Sequence, residues 1–129
     1  MIQRFIELGE GYSDIYELVE IAKTNSHRVK YFLALHTKIN DKKVASIAVV
    51  LNPAKTGKFQ PIYICREGIS LSEEKPSQRL AIFEYASEEV KKPIIRFEIK
   101  PSSAFSEKEL YYQYVIGILR LYHVIPPLS

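Results

Sequence analysis

Apolar and polar positions along this chain follow two periods, and the richest apolar pattern lies near the C-terminal end. After Glu109 the only strongly polar side chains before Pro126 are Gln113, Arg120 and His123. At about 100° per residue on a helix, Gln113 and Arg120 fall in line with Glu109, and His123 lies slightly to the side. Leu110, Tyr114, Val115, Ile116, Ile118, Leu119, Leu121 and Val124 cover the rest of the circumference. A helix apolar on so much of its surface is buried on more than one side, so it packs between layers of its own fold or against a second copy. Its limits are marked in the sequence. Ser106-x-x-Glu109 reads as a capping box, with Phe105 and Leu110 at the positions of a hydrophobic staple. Pro126-Pro127 cannot continue a helix, which should fray near Val124.

Period two governs much of the remainder. Ile2 to Leu8 reads as a strand, broken by Gly9 and Gly11. A cap at Ser13 or Asp14 opens a one-sided helix with Ile15, Leu18, Val19 and Ala22 at helical spacing. In Val29 to Ile39 the residues Val29, Tyr31, Leu33, Leu35 and Ile39 face a core, while Arg28, Lys30, His36 and Lys38 face away. Asn40-Asp41 predicts a tight turn into Lys43 to Leu51, which is apolar on both faces and therefore central. Phe59 to Arg66 is a further strand, with Pro61 pointing to an edge, a bulge or a late start, and Gly68 closing it. A polar loop over 70–75 leads to a helix from about Pro76, its buried stripe marked by Leu80, Phe83 and Val90. The last strand alternates Ile95, Phe97 and Ile99 against Arg96, Glu98 and Lys100. The order is β-α-β-β-β-α-β-α, an α/β (α+β) chain with a single mixed sheet of about five strands and three helices. Short connections favour strands adjacent in sequence lying side by side. No repeat or linker divides residues 1–129, so one globular domain is expected.

Composition adds a compartment and a charge map. The lone Cys65 excludes an internal disulfide and fits a reducing cytosol. The early charges of M-I-Q-R-F-I-E-L do not suit a signal peptide, and no apolar run approaches a membrane span. A cytoplasmic protein is expected. The net charge of +3 is unevenly spread, with residues 1–22 at −4, 23–66 at +8 and 67–109 at −2. The middle of the chain is thus a candidate anion-facing surface: Arg28, Lys30, His36 and Lys38 on one strand, Lys42 and Lys43 after the turn, and Lys55 and Lys58 in the next loop.

Catalytic signatures are sparse. The five glycines make no phosphate-cradling loop, and His27, His36 and His123 lack metal-ligand spacing. His123, near a helix end, is read as helping to satisfy terminal carbonyls. Cys65 is read as a small core side chain. Glu98-x-Lys100 could be half of a metal-nuclease site, with Asp41 as a third member, but alternating charge on a strand is also the ordinary pattern of a solvent-facing surface. No catalytic residue, metal ligand or cofactor is assigned.

The element order from Asp14 through Lys100 resembles the core of the restriction-endonuclease-like nucleases. That resemblance implies an acid at the second core strand, which Asp41 precedes acceptably, and a D/E-x-K on the third. The third strand here reads P-I-Y-I-C-R-E-G and has no such motif, and Glu98 to Lys100 falls one strand late, so at most a degenerate nuclease-like shell is implied. Over the whole chain, M-I-Q-R-F-I-E-L-G-E-G-Y-S-D and K-P-S-S-A-F-S-E-K-E-L-Y-Y-Q-Y resemble a family of short uncharacterised proteins from Bacillus and relatives. This implies a bacterial cytosolic protein and brings no activity, cofactor or catalytic residue with it.

Two roles remain. The first is a non-enzymatic interaction module that self-associates as a dimer through the last helix, with Tyr111, Tyr114, Ile118, Leu121 and Tyr122 as contacts, since tyrosine joins an apolar ring to a polar tip. The alternative partner is nucleic acid or another polyanion on the basic residues of 28–58, although only Phe32 lies among those charges to stack on a base.

Overall fold

Five strands and three helices form in the predicted order. The computed structural model describes residues 2–8, 13–54, 57–71 and 77–125, with the side chains of Ser13 and Asp14 outside that description. The strands are β1 (Ile2–Glu7), β2 (Val29–Ile39), β3 (Lys42–Leu51), β4 (Phe59–Ser70) and β5 (Ile94–Glu98). The helices are α1 (Ser13–Thr24), α2 (Gln78–Val90) and α3 (Lys108–Leu121). The expected breaks at Gly9 and Gly11, the side-chain cap at Ser13 or Asp14, Lys55, Pro76 and the Pro126-Pro127 stop lie outside the described residues.

The sheet is mixed, in the order β1-β4-β3-β2-β5. The meander β2-β3-β4 pairs as neighbours, as expected, but β1 lies beside β4 and β5 beside β2. Side-by-side order fails at these two steps because each connection carries a helix, and a crossover helix delivers a parallel strand. β1 and β4 are parallel, β4–β3 and β3–β2 antiparallel, and β2 and β5 parallel, so β3 alone runs against the other four. Both crossovers, β1 to β2 and β4 to β5, move the chain the same way across the sheet. With one crossover hand they must put their helices on the same face. That is the arrangement found: α1 and α2 pack together on one face, tied by Lys23–Glu89 at 3.0 Å, and α3 lies on the other.

Side-chain alternation then sorts two cores. Ile15, Leu18, Phe32, Ile47, Val49, Cys65 and Phe83 fill the space under α1 and α2, and Phe32 meets Phe83 edge-on with centroids 5.4 Å apart. Leu33, Leu35, Ala48, Val50, Ile62, Ile64, Tyr111, Val115 and Leu119 fill the space under α3. β3 is buried from Ala45 to Leu51, as its two-faced apolar run predicts. β2 differs from its reading as a one-faced strand. Phe32 and Ala34 are buried as well, because both faces are covered, and the register shift between Val29 and Tyr31 turns Val29 to the same core as Phe32. Asn40 and Asp41 both take positive φ, 51° and 64°, the two-residue hairpin turn their short polar side chains tolerate. Pro61 is internal, with Arg4 of β1 as its partner. Its missing N–H is accommodated because the β3–β4 ladder begins one residue later, at Ile62. β4 continues through Gly68 to Ser70 instead of closing there.

Both ends of α3 depart from expectation. The N-cap is Glu107, with no side-chain cap bond, so the Ser106–Glu109 capping box does not form. The approach is set instead by the turn Ser102–Ala104, held where the Ser102 N–H and hydroxyl donate to Glu67, and by Phe105 packing on Tyr111 and Tyr114 in place of Leu110. At the other end the helix stops before the prolines. His123 takes φ 61°, its N–H bonds the Arg120 carbonyl, and the Val124 N–H reaches Leu119 at 2.8 Å. This is a Schellman closure, with a histidine where glycine is usual, and Val124 folds back onto the core beside Leu119. His123 thus serves the helix end through its backbone.

Leu119 and Leu121 stand two residues apart on α3, one fully buried and the other 71% exposed. Leu119→Ala should cost about 2–5 kcal/mol of stability in urea unfolding of dilute protein, while Leu121→Ala should stay within about 0.5 kcal/mol. His123→Gly relieves a left-handed side chain and should stabilise by about 0.5–1 kcal/mol in the same measurement.

Candidate functional site

Two surfaces carry chemistry beyond packing, and the first follows from α3 having its face of the sheet to itself. Five strands at about 4.8 Å spacing are wider than one helix of about 10 Å. The aromatic residues of α3 extend its reach. Tyr112 stacks on Phe5 of β1 with centroids 4.4 Å apart, and Tyr122 packs on Phe97 of β5 at 5.3 Å. Tyr111 is 1% exposed beneath the helix, where burial raises its hydroxyl to about 12. It is therefore a core residue and leaves the set of predicted contacts.

A polar seam fixes the helix against β1. Glu7 accepts from Lys108 Nζ at 2.8 Å and from the Tyr112 hydroxyl, and pairs with Arg66 Nε at 2.9 Å. Burial works to raise the Glu7 carboxyl, but Lys108, Tyr112 and Arg66 outweigh it and hold it below its ordinary value. Burial and the bond to Glu7 push the Tyr112 hydroxyl up. Further along, Arg120 donates to Gln3 at 2.6 Å, and Gln3 donates to Gln60. The expected wet stripe is thereby divided. Arg120 is turned toward the sheet, and the outermost line of the helix becomes Leu110, Gln113, Gly117 and Leu121, flanked by half-buried Tyr114 and Ile118. Leu110 is 43% and Tyr122 62% exposed, and a Cβ built on Gly117 would meet nothing within 4 Å. Of the predicted contacts, Tyr114, Ile118, Leu121 and Tyr122 lie on or beside this uncharged stripe.

The second surface is at the carboxyl ends of the strands. A cleft of about 640 Å³ is lined by His36, Thr37 and Lys38 of β2, Lys43 of β3, Leu71 just past β4, Glu98 at the end of β5 and Ile99 to Pro101 after it. The register explains the assembly: His36 is opposite both Ala45 and Glu98, and Lys38 is opposite Lys43. The predicted basic set is thus split. His36, Lys38 and Lys43 share the cleft, and Lys42 stands at the start of β3 beside it. Arg28 and Lys30 stand at the other end of β2, about eight residues or 26 Å away. There Arg28 donates to the Asn52 carbonyl at 3.0 Å, and Lys30 sits over the Tyr31 ring.

Lys100 and Glu98 join the cleft, which sequence reasoning had paired with Asp41. Asp41 stands at the hairpin tip, five residues or about 16 Å along the strand from the His36–Glu98 rung. Among the described residues no three His, Cys, Asp or Glu side chains gather as a metal site. The convergence of Lys38, Lys43 and Lys100 was hidden in the sequence because it depends on β5 pairing with β2.

Comparison with known proteins places nearly the whole chain in an uncharacterised family. The domain of unknown function DUF7147 matches residues 1–125. The chain belongs to the DUF7147 family. No curated protein and no solved structure matches it. Among the described residues of this DUF7147 domain, no helix is long and apolar enough to cross a membrane.

His36 offers a check on the cleft's electrostatics. Burial lowers its pKa from 6.5, Arg96 on β5 lowers it further, and Glu98 opposes them. Arg96 lies 3.4 Å from His36 Nε2 and is itself paired with Glu84 of α2 at 3.5 Å. A depressed histidine favours folding while neutral, so its contribution is present above pH 6.5 and is lost as pH falls through the folded value. His36→Gln should remove that part of the acid-side loss of stability, read by urea unfolding across a pH series, and leave the carboxylate-driven loss at lower pH in place.

Proposed function

We propose that this DUF7147 domain is a non-enzymatic, single-domain module of the bacterial cytoplasm that works by self-association, with the outer stripe of α3 as the contact between two copies. The observation that carries this reading is Leu121, 71% exposed on a helix line that presents no charge. A second copy suits the stripe better than an unrelated partner for two reasons. The face is uncharged along its length, so an identical face meets it without repulsion. Its ends differ in charge, with exposed Glu107 and Glu109 at the start, where Lys108 is turned to Glu7, and half-buried Arg120, bonded to Gln3, with exposed His123 at the finish. An antiparallel pair across a two-fold axis sets Glu107 and Glu109 of one helix near the Arg120 and His123 end of the other and opposes the two helix dipoles. Gly117 supports the same geometry. A glycine in an exposed helix interior costs about 1 kcal/mol relative to alanine, and the hollow it leaves lets a facing backbone come close. Tyr114, Ile118 and Tyr122 flank that hollow and supply the rim.

Sedimentation equilibrium should give a dimer in the micromolar range. Leu121→Lys, which places a base in the last helical turn where the helix dipole favours it, should weaken association about tenfold or more, while the dilute protein unfolds as before. A wild-type monomer throughout the micromolar range would overturn the reading.

A further inference from the structure

We infer that the cleft at the carboxyl ends of β2, β4 and β5 binds a small organic phosphate of mononucleotide size, with the phosphate on Lys38, Lys43 and Lys100 and a hydrogen-bond donor of the ligand on Glu98. The location has a topological cause. β1, β4, β2 and β5 all run toward one rim, and β3 alone runs away from it. At that rim side chains from the ends of β2, β4 and β5 and from the start of β3 converge on one space. Side chains at strand carboxyl ends do the same in ligand-binding α/β sheets, although both crossovers here run the same way and make no switch point. Here that space is about 640 Å³, within the span of small-molecule pockets.

Charge selects the ligand class. Three lysines face one glutamate in a cleft walled by protein, which concentrates a positive potential. Among the described residues neither the Lys38 nor the Lys100 ammonium forms an ion pair, and neither does the Glu98 carboxylate. Lysine is a compact point charge suited to phosphate oxygens. A carboxylate among them repels a bare anion, but it accepts an N–H or O–H donor on the same ligand. Leu71 and Ile99 add an apolar wall for a carbon body. A ribonucleoside monophosphate meets all three requirements, since its phosphate is separated by an apolar-faced ring system from a base edge that carries N–H donors.

Isothermal titration with AMP, GMP, CMP and UMP, inorganic phosphate and the four nucleosides tests this. At low salt at least one nucleotide should bind, weaker at high salt, and about tenfold or more tighter than phosphate or its own nucleoside. Lys38→Ala and Lys100→Ala, both at exposed positions, should each weaken it about tenfold or more while the protein unfolds as before. Glu98→Gln should erase the preference for nucleotide over phosphate. The His36 imidazole, followed by NMR, should titrate at higher pH in the saturated protein, because a bound phosphate favours its charged form. Absence of binding by all four nucleotides at low salt, phosphate binding as tightly as any of them, or indifference of the bound nucleotide to both lysine substitutions would overturn the assignment. None of these readouts depends on self-association, so the two readings stand or fall separately.

Discussion

The seam between α3 and β1 sets the geometry on which the rest depends. Glu7 holds Lys108 and the Tyr112 hydroxyl of the helix together with Arg66 of β4, and Arg120 in the last turn of the helix reaches Gln3. A carboxylate accepting from three donors is stable in a half-buried place where a lone one is not. The network therefore fixes the rotation of α3 about its axis as well as its position. Once Tyr112 and Arg120 are turned toward β1, Tyr111, Val115 and Leu119 must point down into the sheet. Leu110, Gly117 and Leu121 are then left facing outward. The exposed stripe is the geometric remainder of a polar interaction on the opposite side of the helix.

The opposite face of the sheet shows what two helices accomplish. α1 and α2 pack together over a core that includes Ile15, Leu18, Phe32, Ile47 and Phe83, all fully buried. α3 has no companion, and tyrosine rings spread outward from it to Phe5 on one edge and Phe97 on the other. Tyr111 and Tyr112 are thereby committed to the chain's own sheet, Tyr122 at the helix end packs on Phe97 yet stays 62% exposed, and the Tyr114 hydroxyl accepts from the Lys100 N–H at 3.1 Å. That bond links the rim of the helix stripe to the segment that borders the cleft, so the two surfaces share a structural neighbour.

The cleft arises from topology more than from any motif. Its lysines come from β2, from β3 and from the segment after β5, and Lys100 lies more than fifty residues in sequence from the other two. A basic run in 23–66 was visible as a charge imbalance, yet it is the strand order that decides which of those bases meet. Lys38 and Lys43 face one another across a hairpin, and Lys100 joins them only because the second crossover sets β5 against β2. Arg28 and Lys30, at the start of the same strand β2, stand at its far end, where backbone and ring partners absorb them.

The sequence by itself determined the elements, their order, the central place of β3 and the Asn40-Asp41 turn, because these rest on local periodicity and on the φ preferences of single residues. It also marked α3 as a helix with more apolar surface than a simple amphipathic segment. It misassigned the α3 cap, since Ser106 and Glu109 can form a capping box in isolation but Glu67 holds Ser102 and sets the chain's approach differently. It misplaced Tyr111, because rotation of the helix about its axis is fixed by Glu7 and Gln3, a hundred residues away. Strand neighbours, helix rotation and the meeting of three lysines are long-range choices made by crossover hand and by buried polar pairs. A reading that proceeds residue by residue contains no term for them, and only the folded chain supplies it.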